Sequence, residues 1–337
     1  MYIIYAILAF GLLIIVHELG HFILAKINGV RVEEFSIGMG PKIFSIDGKE
    51  TKYSLGILPI GGYVKMLGEE EDVNDERSFS AKSPLRRITI ILAGAFMNLI
   101  LAIVIFTAYL NHFGYRLPKV QSVIDKSPAY EAGIKPGDKF EKINGSKVFT
   151  ADDMTFAIAL SKGNPVNIEV NRDGKLLDFN VKPSYNEKEK RDMIGFSFDQ
   201  VKNPTIVQSF KESFNQTGSL IKQTFQGLKM IFTGKADLKT DVGGPVTIIK
   251  LSGQAAKAGI WTLLYFTAFI SINLAVFNLL PFPALDGGWT VLLLIELITR
   301  RKVPDKVAGA LNFVGFALLM GLMLLVTVKD ILFPIKF

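Results

Sequence analysis

Four long apolar segments restrict the folds that this chain can adopt. An α-helix needs roughly 20 apolar residues to cross a bilayer. The segments 2–25, 88–110, 261–280 and 307–328 meet this requirement. Glu18 is the only formally charged residue in any of them, if the histidines are taken as neutral. The chain is therefore predicted to be a polytopic α-helical membrane protein with four transmembrane helices.

Composition excludes other classes of protein. Hydrophobic residues make up 49% of the 337 positions, which is too much for intrinsic disorder. The chain has no cysteine, which excludes a disulfide-stapled secreted fold and any cysteine ligand or nucleophile. The net charge of +7 is compatible with nucleic-acid binding, but basic cytoplasmic loops of a membrane protein produce the same excess.

The charges between the apolar segments predict an orientation. The first segment is predicted to be a retained helix, because Lys26 is the first basic residue and lies beyond it. Basic residues cluster after the first segment, before the second, and between the third and fourth. They are Lys26, Arg31, Lys82, Arg86, Arg87, Arg300, Arg301, Lys302 and Lys306. These loops are predicted to be cytoplasmic, which places both termini and residues 111–260 outside.

The sequence between the helices predicts further regions. The full division is 1–25, first transmembrane helix; 26–87, β-hairpin region; 88–110, second transmembrane helix; 117–185, small soluble domain; 186–260, amphipathic helical region; 261–298, third transmembrane helix and a short helix; 299–337, loop, fourth transmembrane helix and tail. The short helix, 289–298, contains Glu296 and is predicted to be re-entrant or interfacial.

The region 26–87 carries a hairpin signal. Asp47 and Gly48 lie between two alternating runs, a typical turn signal. A glycine-rich stretch with Gly61, Gly62 and Tyr63 follows. The region is either a simple cytoplasmic-side hairpin or a sheet whose edge pairs with an extended substrate.

Residues 117–185 resemble a bacterial PDZ domain, through Ser127-Pro128-Ala129, Gly137-Asp138 and Ile143-Asn144-Gly145. PDZ domains bind peptides by strand addition, although a folded spacer without a ligand is also compatible with the pattern. The segment 202–232 is amphipathic. It is predicted either to pack against this domain or to lie on the outer membrane surface.

The strongest chemical signal is His17-Glu18-Leu19-Gly20-His21. Positions four apart share one face of a helix, so the two imidazoles can bind one Zn²⁺ while Glu18 acts on a bound water. About 15 apolar residues, or roughly 22 Å of helix, precede His17. Ionisable groups at that depth cost about 2.5 kcal/mol or more unless they have partners, which favours a metal site over solvated side chains.

Asp286 is the predicted third ligand. A catalytic zinc requires three protein ligands and an open position. Asp286 follows two prolines after the third segment and precedes two glycines, and the predicted topology brings it to the side on which His21 lies. His112 lies at the opposite end of the second segment and is predicted to be an interfacial residue.

Taken together, these motifs resemble the site-2 protease family of intramembrane zinc metalloproteases, and within it the bacterial regulator-of-sigma-E branch. The resemblance rests on the HExxH motif, the stretch from Asn278 to Gly287, and Gly94 with Asn98. It implies a zinc protease in which His17, His21 and Asp286 hold the metal and Glu18 is the general base. Some relatives have two tandem PDZ domains, whereas this sequence shows one.

The resemblance also implies how substrate is held. Asn278 would hold the substrate backbone, and a membrane-associated hairpin of about 35–68, including Gly61, Gly62 and Tyr63, would present substrate as an added strand. Expected substrates are single-pass membrane proteins such as anti-sigma factors or remnant signal peptides, already cleaved outside. The expected location is the bacterial inner membrane. The alternatives are a non-catalytic membrane-anchored PDZ scaffold and a transporter with broken helices.

Overall fold

The computed structural model describes residues 2–69, 73–237, 239 and 241–334. The backbone separates into two compact units. The first unit combines Met1–Ala102 with Leu228–Phe337, and the second is Ile103–Gly227. In the sequence, the second unit is therefore inserted between the two segments of the first.

Helices dominate the first unit and strands dominate the second. The helices are α1 (Tyr2–Ile27), α2 (Pro84–Phe113), α3 (Pro128–Glu131), α4 (Ala151–Leu160), α5 (Ile206–Phe232), α6 (Pro245–Ala258), α7 (Ile260–Asn278), α8 (Asp286–Thr299) and α9 (Asp305–Leu332). The strands are β1 (Val32–Asp47), β2 (Lys52–Met66), β3 (Tyr115–Val123), β4 (Lys139–Ile143), β5 (Ser146–Lys147), β6 (Val166–Arg172), β7 (Lys175–Val181), β8 (Ser184–Asn186), β9 (Arg191–Met193) and β10 (Phe196–Val201).

Four helices in the described residues are long and apolar enough to cross a membrane: Tyr5–Ile27, Pro84–Phe113, Ile260–Asn278 and Lys306–Leu332. The four predicted segments are thereby confirmed as helices that are long and apolar enough to cross a membrane. The observed α2 is longer than its apolar segment because Pro84 suits the first turn of a helix. The short helix α8 has 14 residues and is too short to span a bilayer.

Strands β1 and β2 form a small sheet in the first unit. They pair antiparallel, and the chain turns back between Asp47 and Lys52. The start of β1 lies between two parts of β2, because residues 34–37 pair both with residues 62–65 and with residues 52–55. Positive φ angles at Gly38 (79°) and Gly61 (86°) allow the bends in the two strands. Residues 62–66 therefore form an outer edge of the sheet.

A hydrophobic core joins this sheet to α1, α2 and α8. Its buried members are Ala25, Val30, Val32, Phe35, Val64, Met66, Phe79, Ile88, Ile90, Ile91 and Leu293. The 62–66 edge contributes two of these side chains, so the sheet edge is fixed by packing relative to the ends of three helices.

Helix α6 is attached to α9 by a buried carboxylate. Asp330 on α9 accepts hydrogen bonds from the backbone N–H groups of Gly244 (3.0 Å) and Thr247 (2.9 Å). These N–H groups lie at the start of α6, where helical donors lack partners within the helix. Asp330 thus satisfies the first turn of α6.

The second unit contains an antiparallel sheet with the strand order β10-β3-β4-β6-β7, and β5 pairs with β4. Helices α3 and α4 contribute Ala129, Met154 and Ile158 to its buried core. Thr150 and Asp153 form a reciprocal capping box at the start of α4. The sheet continues past residue 185, because β10 pairs with β3.

Candidate metal centre

Helix α1 presents His17 and His21 side by side. Their Nε2 atoms are 3.2 Å apart, as expected for residues one helical turn apart. The His17 and His21 side chains are 11% and 12% exposed. Both imidazoles therefore lie largely inside the protein, in the C-terminal half of a helix that is able to span a membrane.

Two glycines allow α2 to approach this face of α1. A Cβ atom on residue 94 would lie 2.5 Å from Nε2 of His21 and 2.6 Å from Cε1 of His17. A Cβ atom on Gly20 would clash with the backbone carbonyl of Ala93. Contacts this close are incompatible with a side chain, so the imidazoles pack directly on the main chain of α2.

Helix α2 also provides polar partners for the second nitrogen of each ring. Nδ1 of His21 lies 2.9 Å from the carbonyl oxygen of Ile90 and donates to it. The amide nitrogen of Asn98 lies 3.4 Å from Nδ1 of His17. Asn98 is fully buried, and its backbone carbonyl oxygen accepts a hydrogen bond from Ser271 Oγ at 2.8 Å. The hydrogen bond at Nδ1 of His21 leaves the lone pair of Nε2 free for a metal.

Asp286 is the first residue of α8 and follows a tightly packed turn. A Cβ atom on Gly287 would clash with the carbonyl oxygen of Leu280, and one on Gly288 would clash with that of Phe282. The backbone N–H of Ala284 donates to Asn312 Oδ1 at 3.1 Å. The two glycines let the turn pack against the start of α8, and this packing sets the position of the Asp286 carboxylate.

The three predicted metal-binding side chains converge. Asp286 Oδ2 lies 3.3 Å from His17 Nε2 and 3.7 Å from His21 Nε2. One donor atom from each residue lies within 4.8 Å of the other two. Four donors arranged as a tetrahedron at zinc distances of about 2.0–2.1 Å are about 3.3 Å apart. The observed separations are close to that value.

The donor chemistry also fits a divalent cation. Asp286 Oδ2 is buried and has no hydrogen-bond partner within the described part of the chain. A buried polar atom without a partner is costly, and a cation placed between the carboxylate and the two imidazoles removes that cost. Two histidine nitrogens and one carboxylate oxygen form a common ligand set of catalytic zinc.

A cavity of about 260 Å³ adjoins this cluster. Its lining includes His17, Glu18, His21, Asp286, Gly62, Tyr63, Val64, Met66, Phe79 and Trp289. A Cβ atom on Gly62 would lie 3.1 Å from Cγ of Glu18. The sheet edge 62–66 and the Glu18 side chain therefore border the same space beside the metal ligands. A larger cavity of about 1030 Å³ shares Tyr63 and Trp289 in its lining.

Tyr63 is held in place by charged neighbours. Its hydroxyl donates to Glu34 Oε2 at 2.8 Å, and the Lys42 ammonium lies 4.5 Å from the centre of its ring. Burial raises the pKa of the Glu34 carboxyl, but hydrogen bonds from Ser54 and Tyr63 and the charge of Lys42 outweigh it, so this pKa is lowered. Glu34 therefore remains an ionised acceptor for Tyr63 at neutral pH.

Two other residues predicted to bind substrate lie elsewhere. Asn278 is the last residue of α7 and is not among the residues that border the smaller cavity. Gly61 precedes the cavity lining, and a Cβ atom at this position would lie 2.7 Å from the Met39 side chain. Gly62 and Tyr63 are the two predicted substrate-binding residues that line this cavity.

The sequence interpretation did not identify Trp289 or the Ile90 carbonyl. Trp289 lies in the first turn of α8, and its position directly after two glycines was an available signal. The backbone carbonyl of Ile90 could not be recognised from the sequence, because every residue has such a group. Its role as an acceptor for His21 depends on how α1 and α2 approach each other.

Comparison with known proteins agrees with these motifs. Residues 5–322 match peptidase family M50. A Clostridium perfringens protein is 57% identical over 335 residues, which cover 99% of this chain and 100% of the relative. A Clostridium acetobutylicum protein is 50% identical over 335 residues, covering 99% and 98%. Both carry the name "putative zinc metalloprotease".

A third relative is zinc metalloprotease RasP of Shouchella clausii. It is 32% identical over 405 aligned positions, which cover 96% of each chain. The predicted resemblance to site-2 proteases, the enzyme class and the zinc cofactor are confirmed by these matches. The chain therefore belongs to peptidase family M50, the site-2 proteases: it is a multi-pass membrane protein, a zinc-dependent protease, and acts on membrane proteins.

Proposed function

We propose that this protein hydrolyses peptide bonds within the transmembrane segments of single-pass membrane proteins. The convergence of His17, His21 and Asp286 beside Glu18 carries the proposal. His17, Glu18 and His21 belong to a helix that is able to span a bilayer, so a substrate would have to be membrane-embedded to reach them.

His17, His21 and Asp286 would hold Zn²⁺ through two imidazole nitrogens and one carboxylate oxygen. Bound zinc supplies a Lewis acid that lowers the pKa of a water to about 7 and polarises a carbonyl. The hydrogen bond from His21 Nδ1 to Ile90 keeps one imidazole in the tautomer and orientation that this role needs.

Glu18 would be the general base. Glu18 lines the cavity beside the ligands, is next to His17 in the sequence and lies outside the ligand set. It can take a proton from the attacking water and deliver that proton to the nitrogen of the leaving amine. Gly62 leaves room for the Glu18 side chain, since any larger residue would come within contact distance of it.

The sheet edge 62–66 would hold the substrate in an extended form. A transmembrane helix hides its carbonyls in internal hydrogen bonds, so it must unwind locally before cleavage. Within the described residues, this edge pairs with β1 on one side only, and it borders the cavity beside the ligands. Strand addition there would replace hydrogen bonds lost on unwinding. Asn278 remains a candidate for holding the substrate backbone.

We further propose an orientation in the bacterial inner membrane. The basic loops around Lys82 to Arg87 and Arg300 to Lys306 favour the cytoplasm, so both termini and residues 117–185 would be outside. The PDZ-like domain would then read or gate substrates already trimmed outside, such as anti-sigma factors or remnant signal peptides.

The test compares Glu18→Gln with wild type in proteoliposomes that contain a model single-pass substrate. We expect cleavage to fall by about 10²–10⁴-fold, while zinc measured by mass spectrometry stays near one per chain. Glu131→Gln, an exposed substitution in the second unit, is the control and should retain full cleavage. Wild-type cleavage by Glu18→Gln would exclude the proposed role of Glu18, and stoichiometric zinc in both His17→Ala and Asp286→Ala would exclude the ligand set.

A further inference from the structure

Helix α5 has an inverted arrangement of its two faces. Its polar face is buried against the rest of the second unit, and its buried residues are Ser209, Glu212, Ser213, Gln216, Thr217, Ser219 and Leu220. Hydrogen bonds attach this face to the start of α4: Ser219 Oγ donates to Asp153 at 2.9 Å, and Gln216 donates to Asp152 at 3.1 Å. Side chains of the polar face therefore form hydrogen bonds within the protein.

The opposite face is apolar and exposed. This apolar strip consists of Ile206, Val207, Phe210, Phe214, Ile221 and Phe225, which recur at helical spacing. Five of the six are at least 49% exposed, with Ile206 at 67%. A contiguous exposed apolar face of this kind on a folded unit usually marks an interaction surface.

Contacts with α2 indicate what covers the strip. Thr107 Oγ1 donates to Ser213 Oγ at 3.1 Å, and Asn111 Nδ2 donates to the carbonyl of Pro204 at 3.1 Å. Thr107 lies within the spanning helix Pro84–Phe113, about two turns before its end. Because α5 contacts α2 there, the first half of the strip lies at the level of the last turns of a membrane-spanning helix.

The border of the strip has the charge pattern of an interfacial helix. On a helical wheel, the exposed residues Lys211 and Lys229 lie on one flank of the apolar residues. Lys222 lies on the same flank, but its ammonium pairs with Asp153 at 2.6 Å. Lysines in that position can extend toward lipid phosphates while the apolar side chains enter the acyl region. A water-soluble partner protein would have to approach at a depth where the bilayer itself is present.

We propose that the apolar strip of α5 is a lipid-contact surface, inserted among acyl chains at the membrane edge reached by the C-terminal end of α2. The strip then holds the second unit against the bilayer, while hydrogen bonds from the polar face join α5 to the rest of that unit. The proposal does not depend on the proteolytic mechanism.

Spin labelling of the full chain tests the proposal directly, because the sequence has no cysteine that would have to be removed. Phe214→Cys and Phe225→Cys report on the strip. Leu325→Cys, 71% exposed on α9, is the lipid reference, and Lys175→Cys, exposed in the β6–β7 turn, is the water reference. Each labelled variant is reconstituted in vesicles of phosphatidylethanolamine and phosphatidylglycerol.

The readout is the accessibility of each label to oxygen, which concentrates in lipid, relative to a water-soluble nickel chelate. We expect ratios at positions 214 and 225 that are shifted from the Lys175 value toward the Leu325 value. Ratios equal to the water reference would overturn the proposal. So would labels that are inaccessible to both reagents, because that result would indicate coverage by protein instead of lipid.

Discussion

The side-chain amide of Asn98 faces Nδ1 of His17, at 3.4 Å, from a fully buried position on the neighbouring helix. Its Oδ1 atom is buried and has no hydrogen-bond partner in the described residues. If Nε2 of His17 binds a metal, Nδ1 carries the proton and needs an acceptor. Rotation of the Asn98 side-chain amide by half a turn places Oδ1 beside Nδ1 of His17. Oδ1 then accepts the proton of Nδ1, so each of these two atoms gains a partner.

Asn98 is therefore expected to orient His17. Asn98→Ala should weaken zinc binding by about 10–100-fold, as loss of such supporting partners commonly does. Asn98→Asp, which keeps an acceptor oxygen, should retain most of the affinity. Competition with a chromogenic chelator measures both values. Asn273→Ala, on α7, removes an amide that donates to the Phe269 carbonyl and serves as the control. Equal affinities for Asn98→Ala and wild type would refute the expectation.

Gly94→Ala should remove the metal site sterically. Its Cβ would lie 2.5 Å from Nε2 of His21, so either the imidazoles or α2 must move. We expect zinc content below about one tenth of the wild-type value. Gly11→Ala on α1, where a Cβ meets nothing within 4 Å, should bind zinc normally. Normal zinc content in Gly94→Ala would show that the two helices can separate without loss of the site.

The buried ion pair between Arg87 and Glu296 joins α2 to α8. Both residues are 8% exposed, and Glu296 Oε1 also accepts from the Val303 N–H at 3.0 Å. Glu296→Gln should lower the free energy of unfolding by about 3–5 kcal/mol, because it leaves the guanidinium buried without a counter-charge.

The same pair offers its own controls. The double variant Arg87→Met, Glu296→Met should be more stable than Glu296→Gln, since it leaves no unpaired charge. Arg86→Met changes an exposed neighbour and should have little effect. Denaturant titration in detergent micelles measures all four proteins. A double variant less stable than the single one would contradict the reasoning.

Glu50 should give a pH-dependent contribution to stability. Arg77 first and Lys26 second hold the pKa of the Glu50 carboxyl at about 2. A lowered pKa in the folded protein stabilises it above the ordinary pKa of about 4.3, and this stability is lost as the pH falls toward 2.

Glu50 and its two basic partners are partly exposed, so the contribution should be at most about 1 kcal/mol. Thermal unfolding of Glu50→Gln and wild type should differ most near pH 6, less as the pH falls below about 4, and less in high salt. A difference that is unchanged between these conditions would show that the effect is not electrostatic.

Much of the architecture was predictable because lipid imposes simple rules. An uncharged stretch long enough to cross the bilayer predicts a helix, and the segment 88–110 lies within the observed Pro84–Phe113. The convergence of His17 with Asp286, 269 positions later in the sequence, was predictable from membrane depth and ligand requirements. Neither inference required knowledge of side-chain packing.

Other features depend on packing that composition does not encode. The second pairing of residues 34–37 follows from bends at Gly38 and Gly61. A glycine in a sequence indicates that the backbone can bend, but it does not specify the direction of the bend. The inverted burial of α5 was not predictable either. Its amphipathic pattern indicates two faces, but the hydrogen bonds to Asp152 and Asp153 decide which face is buried.

The metal-centre residues all belong to the first unit, and Ile103–Gly227 interrupts that unit between them. Evolution can consequently lengthen, duplicate or exchange the interrupting portion while the hydrolytic apparatus stays intact. The alignment with Shouchella clausii RasP extends over 405 positions, against 337 residues here, so members of the family do differ in length. Substrate selection by the inserted residues can therefore diverge among homologues while the hydrolytic residues remain under independent selection.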